Sequence, residues 1–212
     1  MDNKEPRRCI GAAISDKVAG VYHPVNDFVQ CNRTSAGAID PSWFKDTDGS
    51  QYVVYKTEIP HNYLEIREVR SSGPKEGVQW AGNAQKLLKV DAQGYHDGGN
   101  MEAPYIFKRD NTYFLTYSTH FTGDGSYDVQ YATAKKVTGP YTRVEKPLLK
   151  TGDSFGCNIT GPGGASFYRD GKADQKETKV IFHGLTAAKD ISKRVVYTGT
   201  VEADGETLSI KA

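Results

Sequence analysis

Hydrophobic and polar positions alternate in short bursts along this chain, and the bursts recur. Asp48-Gly49-Ser50-Gln51-Tyr52-Val53-Val54-Tyr55 aligns with Asp110-Asn111-Thr112-Tyr113-Phe114-Leu115-Thr116-Tyr117 at an offset of 110 − 48 = 62 residues. Each copy is a turn dipeptide followed by alternating or continuous apolar positions, the signature of a tight turn leading into a strand. A third copy starts at Phe167-Tyr168-Arg169-Asp170-Gly171 and reaches Val180-Ile181-Phe182-His183 after an insertion rich in Lys and Asp. Another portion of the unit recurs in Val18-Ala19-Gly20-Val21-Tyr22 and Val137-Thr138-Gly139-Pro140-Tyr141, offset by 139 − 20 = 119, nearly two periods. Long stretches of 3.6-residue apolar spacing are absent, which disfavours a helical solenoid.

Repeats of roughly 40–50 residues holding four strands mark propeller blades, and about 60 fits a blade with longer loops. The units begin near Gly37, Asn100 and Gly161. The chain therefore divides into 37–99, 100–160 and 161–212, each one blade, preceded by 1–36, which matches only the outer half of a blade. The expectation is an all-β protein with a single domain, a β-propeller of which about three and a half blades are present. Blade edges left open in this way are surfaces for self-association.

Composition agrees with strands and turns: 13 Tyr, 8 Phe and 22 Gly among 212 residues favour aromatic strands joined by tight turns over long helices. Lys and Arg number 27 against 26 Asp and Glu, so no global field favours nucleic acid or an anionic membrane, and a neutral partner is permitted. Three cysteines, Cys9, Cys31 and Cys157, with no C-x-x-C pair, argue against a zinc site. Asn32-Arg33-Thr34 and Asn158-Ile159-Thr160 are glycosylation sequons in an exported protein. The first residues as written carry no apolar signal region, and no run of about 18 apolar residues occurs.

In a propeller the first strand of each blade lines the central channel, so equivalent residues of successive blades converge at one mouth. The three units open on Ile39-Asp40-Pro41, Met101-Glu102-Ala103-Pro104 and Thr160-Gly161-Pro162-Gly163-Gly164. The separation 102 − 40 = 62 equals the repeat offset, so Asp40 and Glu102 are expected to face one another. Two carboxylates in a concave site are what glycosidic cleavage needs, one to protonate the leaving oxygen and one opposite. Taken singly, Asp40 is as readily a turn cap and Glu102 the partner of a surface lysine.

These motifs carry a family resemblance. Gly37-Ala38-Ile39-Asp40-Pro41-Ser42-Trp43-Phe44 with Tyr52-Val53-Val54-Tyr55-Lys56 resembles the blade of glycoside hydrolase family 43 that supplies an aspartate modulating the acid's pKa. Met101-Glu102-Ala103-Pro104-Tyr105-Ile106-Phe107 with Tyr113-Phe114-Leu115-Thr116-Tyr117-Ser118 is similar to the next blade, which carries the general acid. The similarity continues through Gly139-Pro140-Tyr141, Gly161-Pro162-Gly163-Gly164, Phe182-His183-Gly184 and Arg194-Val195-Val196-Tyr197, and the fungal secreted type is nearest.

The resemblance implies a five-bladed propeller, an extracellular location, and inverting hydrolysis of arabinose- or xylose-containing plant saccharides. Glu102 would be the general acid, and Asp40 would raise its pKa by like-charge repulsion. Arg194 and His183 would serve a sugar subsite or be satisfied structural residues. Trp43 and Tyr105 would offer stacking faces or fill the core. Related secreted proteins also imply that Cys9 joins Cys31.

Two departures shape the expectation. The family's general base stands two repeats before the modulating aspartate, and 2 × 62 = 124 residues before Asp40 precedes residue 1. The upstream acids Asp2, Glu5, Asp16 and Asp27 are not assigned to that role. The family also often has a metal-binding His in the motif reading Gly161-Pro162-Gly163-Gly164 here, so no cofactor is expected and a family-type calcium is disfavoured. Three functions therefore stand: a glycoside hydrolase, a non-catalytic carbohydrate-binding propeller, and an assembly fragment.

Overall fold

The structure, a computed structural model, describes residues 8–31, 37–58, 62–71, 78–91, 96–169, 177–186 and 190–211. Asp2, Glu5 and the sequon at Asn32 lie outside the described residues. Every named element among the described residues is a strand, as the alternation predicts. Contacts divide the chain into two compact units, Met1–Lys89 and Val90–Ala212, where the repeat reading treats it as one domain.

The first unit holds β1 (Cys9–Ile14), β2 (His23–Cys31), β3 (Ala38–Lys45), β4 (Gln51–Thr57), β5 (Tyr63–Ser71) and β6 (Val78–Lys89). β3 to β6 form an antiparallel meander in sequence order, and β1 pairs with β2. A disulfide joins Cys9 to Cys31, which face one another across that pair. Ile10, half-buried Ala12 and Ile14, and Val25 on the two-stranded pair pack with Val53, Tyr55, Val69 and Val78 of the meander. Burying these faces together stabilises a pair of strands that would be marginal alone.

The second unit holds β7 (Met101–Arg109), β8 (Thr112–Thr119), β9 (Asp128–Ala134), β10 (Thr142–Arg143), β11 (Gly163–Arg169), β12 (Thr178–Leu185), β13 (Arg194–Asp204) and β14 (Thr207–Lys211). They make two four-stranded antiparallel meanders, β7 to β10 and β11 to β14. β8 and β9 are buried at every position, which explains the near-continuous apolar run Tyr113-Phe114-Leu115. Phe107 stacks on Phe114 at 5.2 Å within its own sheet and on Phe167 of the next sheet at 4.8 Å, tying the two meanders through aromatic rings. The Tyr131 hydroxyl accepts the Leu208 amide at 3.1 Å and adds a polar tie.

The 119-residue repeat has a concrete basis. Tyr141 Oη donates to the Val137 carbonyl at 3.1 Å, and Tyr22 Oη donates to the Val18 carbonyl at 3.0 Å. The Gly139 and Gly20 amides likewise donate to the carbonyls of Lys136 and Lys17. In the second unit this turn joins the third strand of a meander to its outer strand, β9 to β10. In the first unit it joins β1 to β2, which identifies that pair as the outer half of a blade.

Candidate active site

The three meanders share an irregularity in their first strand. β3 loses register with β4 between Ile39 and Ser42, β7 with β8 between Glu102 and Tyr105, and β11 with β12 between Gly163 and Ser166. At each bulge one residue adopts a left-handed backbone: Asp40 (φ 54°), Ala103 (φ 48°) and Gly164 (φ 61°). Glycine takes this conformation freely, whereas aspartate and alanine hold it under strain of order 1–3 kcal/mol each, a feature that clusters at functional sites. The bulge ends the regular pleat and re-aims the residues beside it.

This geometry corrects the shared register expected for the two carboxylates. Asp40 corresponds to Ala103, and Glu102 corresponds to Ile39. The prolines and phenylalanines confirm it, since 104 − 41 = 63 and 107 − 44 = 63, while the following turns are offset by 62. The turn region Lys45-Asp46-Thr47-Asp48 contains one residue more than Lys108-Arg109-Asp110 and absorbs the difference. Asp40 belongs to the first unit and Glu102 to the second.

Around Glu102 the second unit builds a polar group that its sequence motifs only partly announce. Glu102 is half-buried and pairs in register with Ser118, whose Oγ accepts the Gly164 amide at 2.9 Å. Tyr127, just before β9, is 3% exposed and donates its hydroxyl to Glu102 Oε1 at 2.7 Å. Its ring occupies the space above Gly163, where an added Cβ would stand 1.8 Å from Tyr127 Cε1. A side chain larger than hydrogen at 163 therefore displaces the ring that carries the hydroxyl.

His183 lies 6.0 Å from Tyr127 between ring centres, the planes inclined by 12°. Arg194 Nη1 donates to His183 Nδ1 at 2.7 Å, and Arg194 Nη2 donates to both the carbonyl and Oγ1 of Thr122 at 3.0 and 2.9 Å. Burial, with the adjacent guanidinium, pushes the His183 pKa down to about 4 against the opposing pull of Glu102. The imidazole is thus neutral near pH 7. A neutral imidazole beside a carboxylate and a tyrosine hydroxyl suits recognition of an uncharged polyhydroxylated ligand.

Glu102, His183 and Arg194 are accordingly brought into one neighbourhood. Tyr105 packs elsewhere: its ring lies 5.7 Å from Phe167 against the apolar core, and burial pushes its hydroxyl pKa up. Trp43 is 41% exposed on β3 of the first unit, in register with Val53. Tyr127, Thr122 and Ser118 had no forecast role. The one advance signal was the Gly163-Gly164 pair inside a strand, which announces close approach of another group without naming it.

A second polar cluster supports this end of the sheet. Asp97 is fully buried, accepts from Arg143 Nη2 at 2.8 Å, and accepts the Asp91 amide at 2.7 Å. Arg143 also reaches Met101 Sδ, one residue before Glu102. Thr119 and Gln130 both donate to Asp128, beside Tyr127, and burial still raises the Asp128 pKa.

The model of glycosyl hydrolases family 43 matches residues 1–199. The chain belongs to glycosyl hydrolase family 43. It is 26% identical over 166 residues to a beta-D-galactofuranosidase of Aspergillus niger, covering 75% of this chain and 44% of that protein. It is 25% identical over 182 residues to extracellular endo-alpha-(1->5)-L-arabinanase 2 of Bacillus subtilis, covering 76% of this chain and 34% of that one. The chain therefore spans less than half the length of these relatives. Among solved structures, a thermostable family-43 glycoside hydrolase superposes with a TM-score of 0.76 at 20% identity, covering 94% of this chain and 65% of that one, which shows the shared propeller-type fold.

Gly164 stands in the motif where the family resemblance puts a metal-binding His. A Cβ on Gly164 would lie 3.0 Å from both Cδ2 and Nε2 of His183, so a second imidazole has no room there without displacing the first. His183 Nδ1 is engaged by the Arg194 guanidinium.

Proposed function

We propose that this chain forms part of a glycoside hydrolase that cleaves arabinose- or xylose-containing plant polysaccharides or oligosaccharides, with Glu102 as general acid. The observation that carries this reading is Glu102 itself, set beside a strained bulge, hydrogen-bonded by a buried tyrosine and neighboured by the neutral His183 that Arg194 holds. Glu102 donates its proton to the departing glycosidic oxygen, and Tyr127 fixes the carboxyl in one rotamer while that proton is transferred. Asp40 acts as the family-implied modulator and sugar-orienting carboxylate. Arg194 bridges His183 and Thr122, so its first role is to position the rim of the subsite.

Inversion also needs a water-activating carboxylate about 6.5–9.5 Å from the acid, and no residue of this chain is assigned to it. A carbohydrate-binding propeller without turnover is the second reading, in which His183 and the Arg194 guanidinium serve recognition alone. Export is part of the proposal: the Cys9–Cys31 disulfide suits an oxidising compartment, and relatives bear the name extracellular arabinanase. Association of copies through blade edges belongs with it and is read by solution scattering.

Hydrolysis of aryl α-L-arabinofuranosides, aryl β-D-xylosides and arabinoxylan, with Glu102→Gln in parallel, tests the reading. Turnover abolished in Glu102→Gln supports it. Turnover equal in both proteins refutes Glu102 as the acid, and saccharide binding without turnover selects the second reading.

A further inference from the structure

The loop between β8 and β9, residues 120–127, supplies two parts of the site, Thr122 to Arg194 and Tyr127 to Glu102. It is held at many points. His120 turns the chain out of β8 with a left-handed φ of 66°, and its carbonyl accepts from Asn100 Nδ2 at 3.1 Å. Asp124 Oδ1 accepts the Ser126 amide at 2.8 Å. Thr151 Oγ1 donates to the Gly125 carbonyl and accepts the Gly161 amide. Yet this fastened loop presents Phe121 to solvent, 64% exposed, directly beside Thr122.

A second apolar side chain meets it. Ile191, 58% exposed, stands three residues before Arg194 in a turn closed by Lys193 N donating to the Asp190 carbonyl at 3.2 Å. Both side chains flank Gly123: a Cβ added there would lie 2.4 Å from Phe121 Cε1 and 3.2 Å from Ile191 Cγ2. The glycine therefore leaves room for the aromatic ring and the isoleucine to come together. Two pinned turns thus place an exposed apolar pair beside Thr122, one of the two residues that Arg194 links.

We propose that Phe121, with Ile191 at its edge, is a stacking platform for a sugar ring of the saccharide beyond the unit held at Glu102. This rests on the reading of Glu102 as the catalytic acid of a carbohydrate site. A sugar presents one face of C–H groups, which gains by covering an aromatic face, while its hydroxyls remain in water. The platform is specificity-determining: it reads the length of the chain bound.

The test is calorimetric titration of wild type, Phe121→Ala, Phe121→Trp and Glu102→Gln with arabino- and xylo-oligosaccharides of two to six units, and with the corresponding methyl glycosides. The expected result is a loss in Phe121→Ala of about three- to ten-fold in affinity for the longer saccharides. That loss exceeds any loss on the methyl glycosides, and Phe121→Trp restores most of it. Phe121→Ala matching wild type at every length overturns the platform while leaving the Glu102 site standing. An equal loss at every length also overturns it, because the ring would then only shape the loop. Wild type binding no saccharide overturns the platform and the carbohydrate reading together.

Discussion

Replacing Tyr127 by Phe removes the hydroxyl that donates to Glu102 and keeps the ring. The ring still fills the space above Gly163 and still lies beside His183, whereas Glu102 Oε1 loses a donor at 2.7 Å. A hydrogen bond to a charged group contributes about 1.5–3 kcal/mol. About 1.4 kcal/mol of differential interaction between the two protonation states moves a titration by one pH unit. Glu102 is half-buried, so water replaces part of what is lost, and the expected displacement is about one pH unit.

The sign follows from the donor. Tyr127 stabilises the ionised carboxylate more than the neutral acid, so its removal keeps Glu102 protonated to higher pH. A general acid is active when protonated, so the basic limb of the kcat/KM profile moves upward in Tyr127→Phe. The displacement is also read without turnover, by carboxyl-carbon NMR titration of Glu102 assigned by difference against Glu102→Gln. A Glu102 midpoint that stays in place, or moves down, refutes the role given to Tyr127.

Three further outcomes are expected. Gly163→Ala drives a methyl group into Tyr127, and overpacking of this kind costs about 1–3 kcal/mol in urea unfolding; it also reproduces the Glu102 displacement of Tyr127→Phe, and wild-type behaviour in both measurements contradicts the close approach. His183 is held below its ordinary pKa, so the stability it contributes is fully present above pH 6.5 and drains away as pH falls toward about 4. With the ring partly exposed, that amounts to about 1–2 kcal/mol after solvent screening, and His183→Gln is expected to show a shallower loss of stability between pH 6.5 and 4 than wild type. Removing the Cys9–Cys31 link, which closes a separation of 22 residues, is expected to lower unfolding stability by about 3 kcal/mol, read as an earlier denaturation midpoint in the Cys9→Ala/Cys31→Ala protein.

Much of the fold was legible because strand alternation and turn chemistry are local. Asp48-Gly49 and Asp110-Asn111 punctuate strands that form where the pattern predicts, and the Tyr22 and Tyr141 turns repeat because a tyrosine four residues after a carbonyl reaches it wherever the turn forms. The half-blade at the start could be recognised for the same reason. Glu102, His183 and Arg194 were singled out through motif resemblance, and the second unit brings all three into one neighbourhood.

What only the tertiary structure decided is register and company. One extra residue in the turn after β3 masked the fact that Asp40 matches Ala103 and Glu102 matches Ile39, and in a strand one residue separates opposite faces. Tyr105 went to the core because its neighbour across the sheets is Phe167, a partner 62 residues away. Tyr127 reaches Glu102 only because Gly163, 36 residues further on, leaves the space empty. Periodicity records which way a residue points on its own strand, whereas the partner it meets depends on how separate strands and loops pack, and no local pattern encodes that.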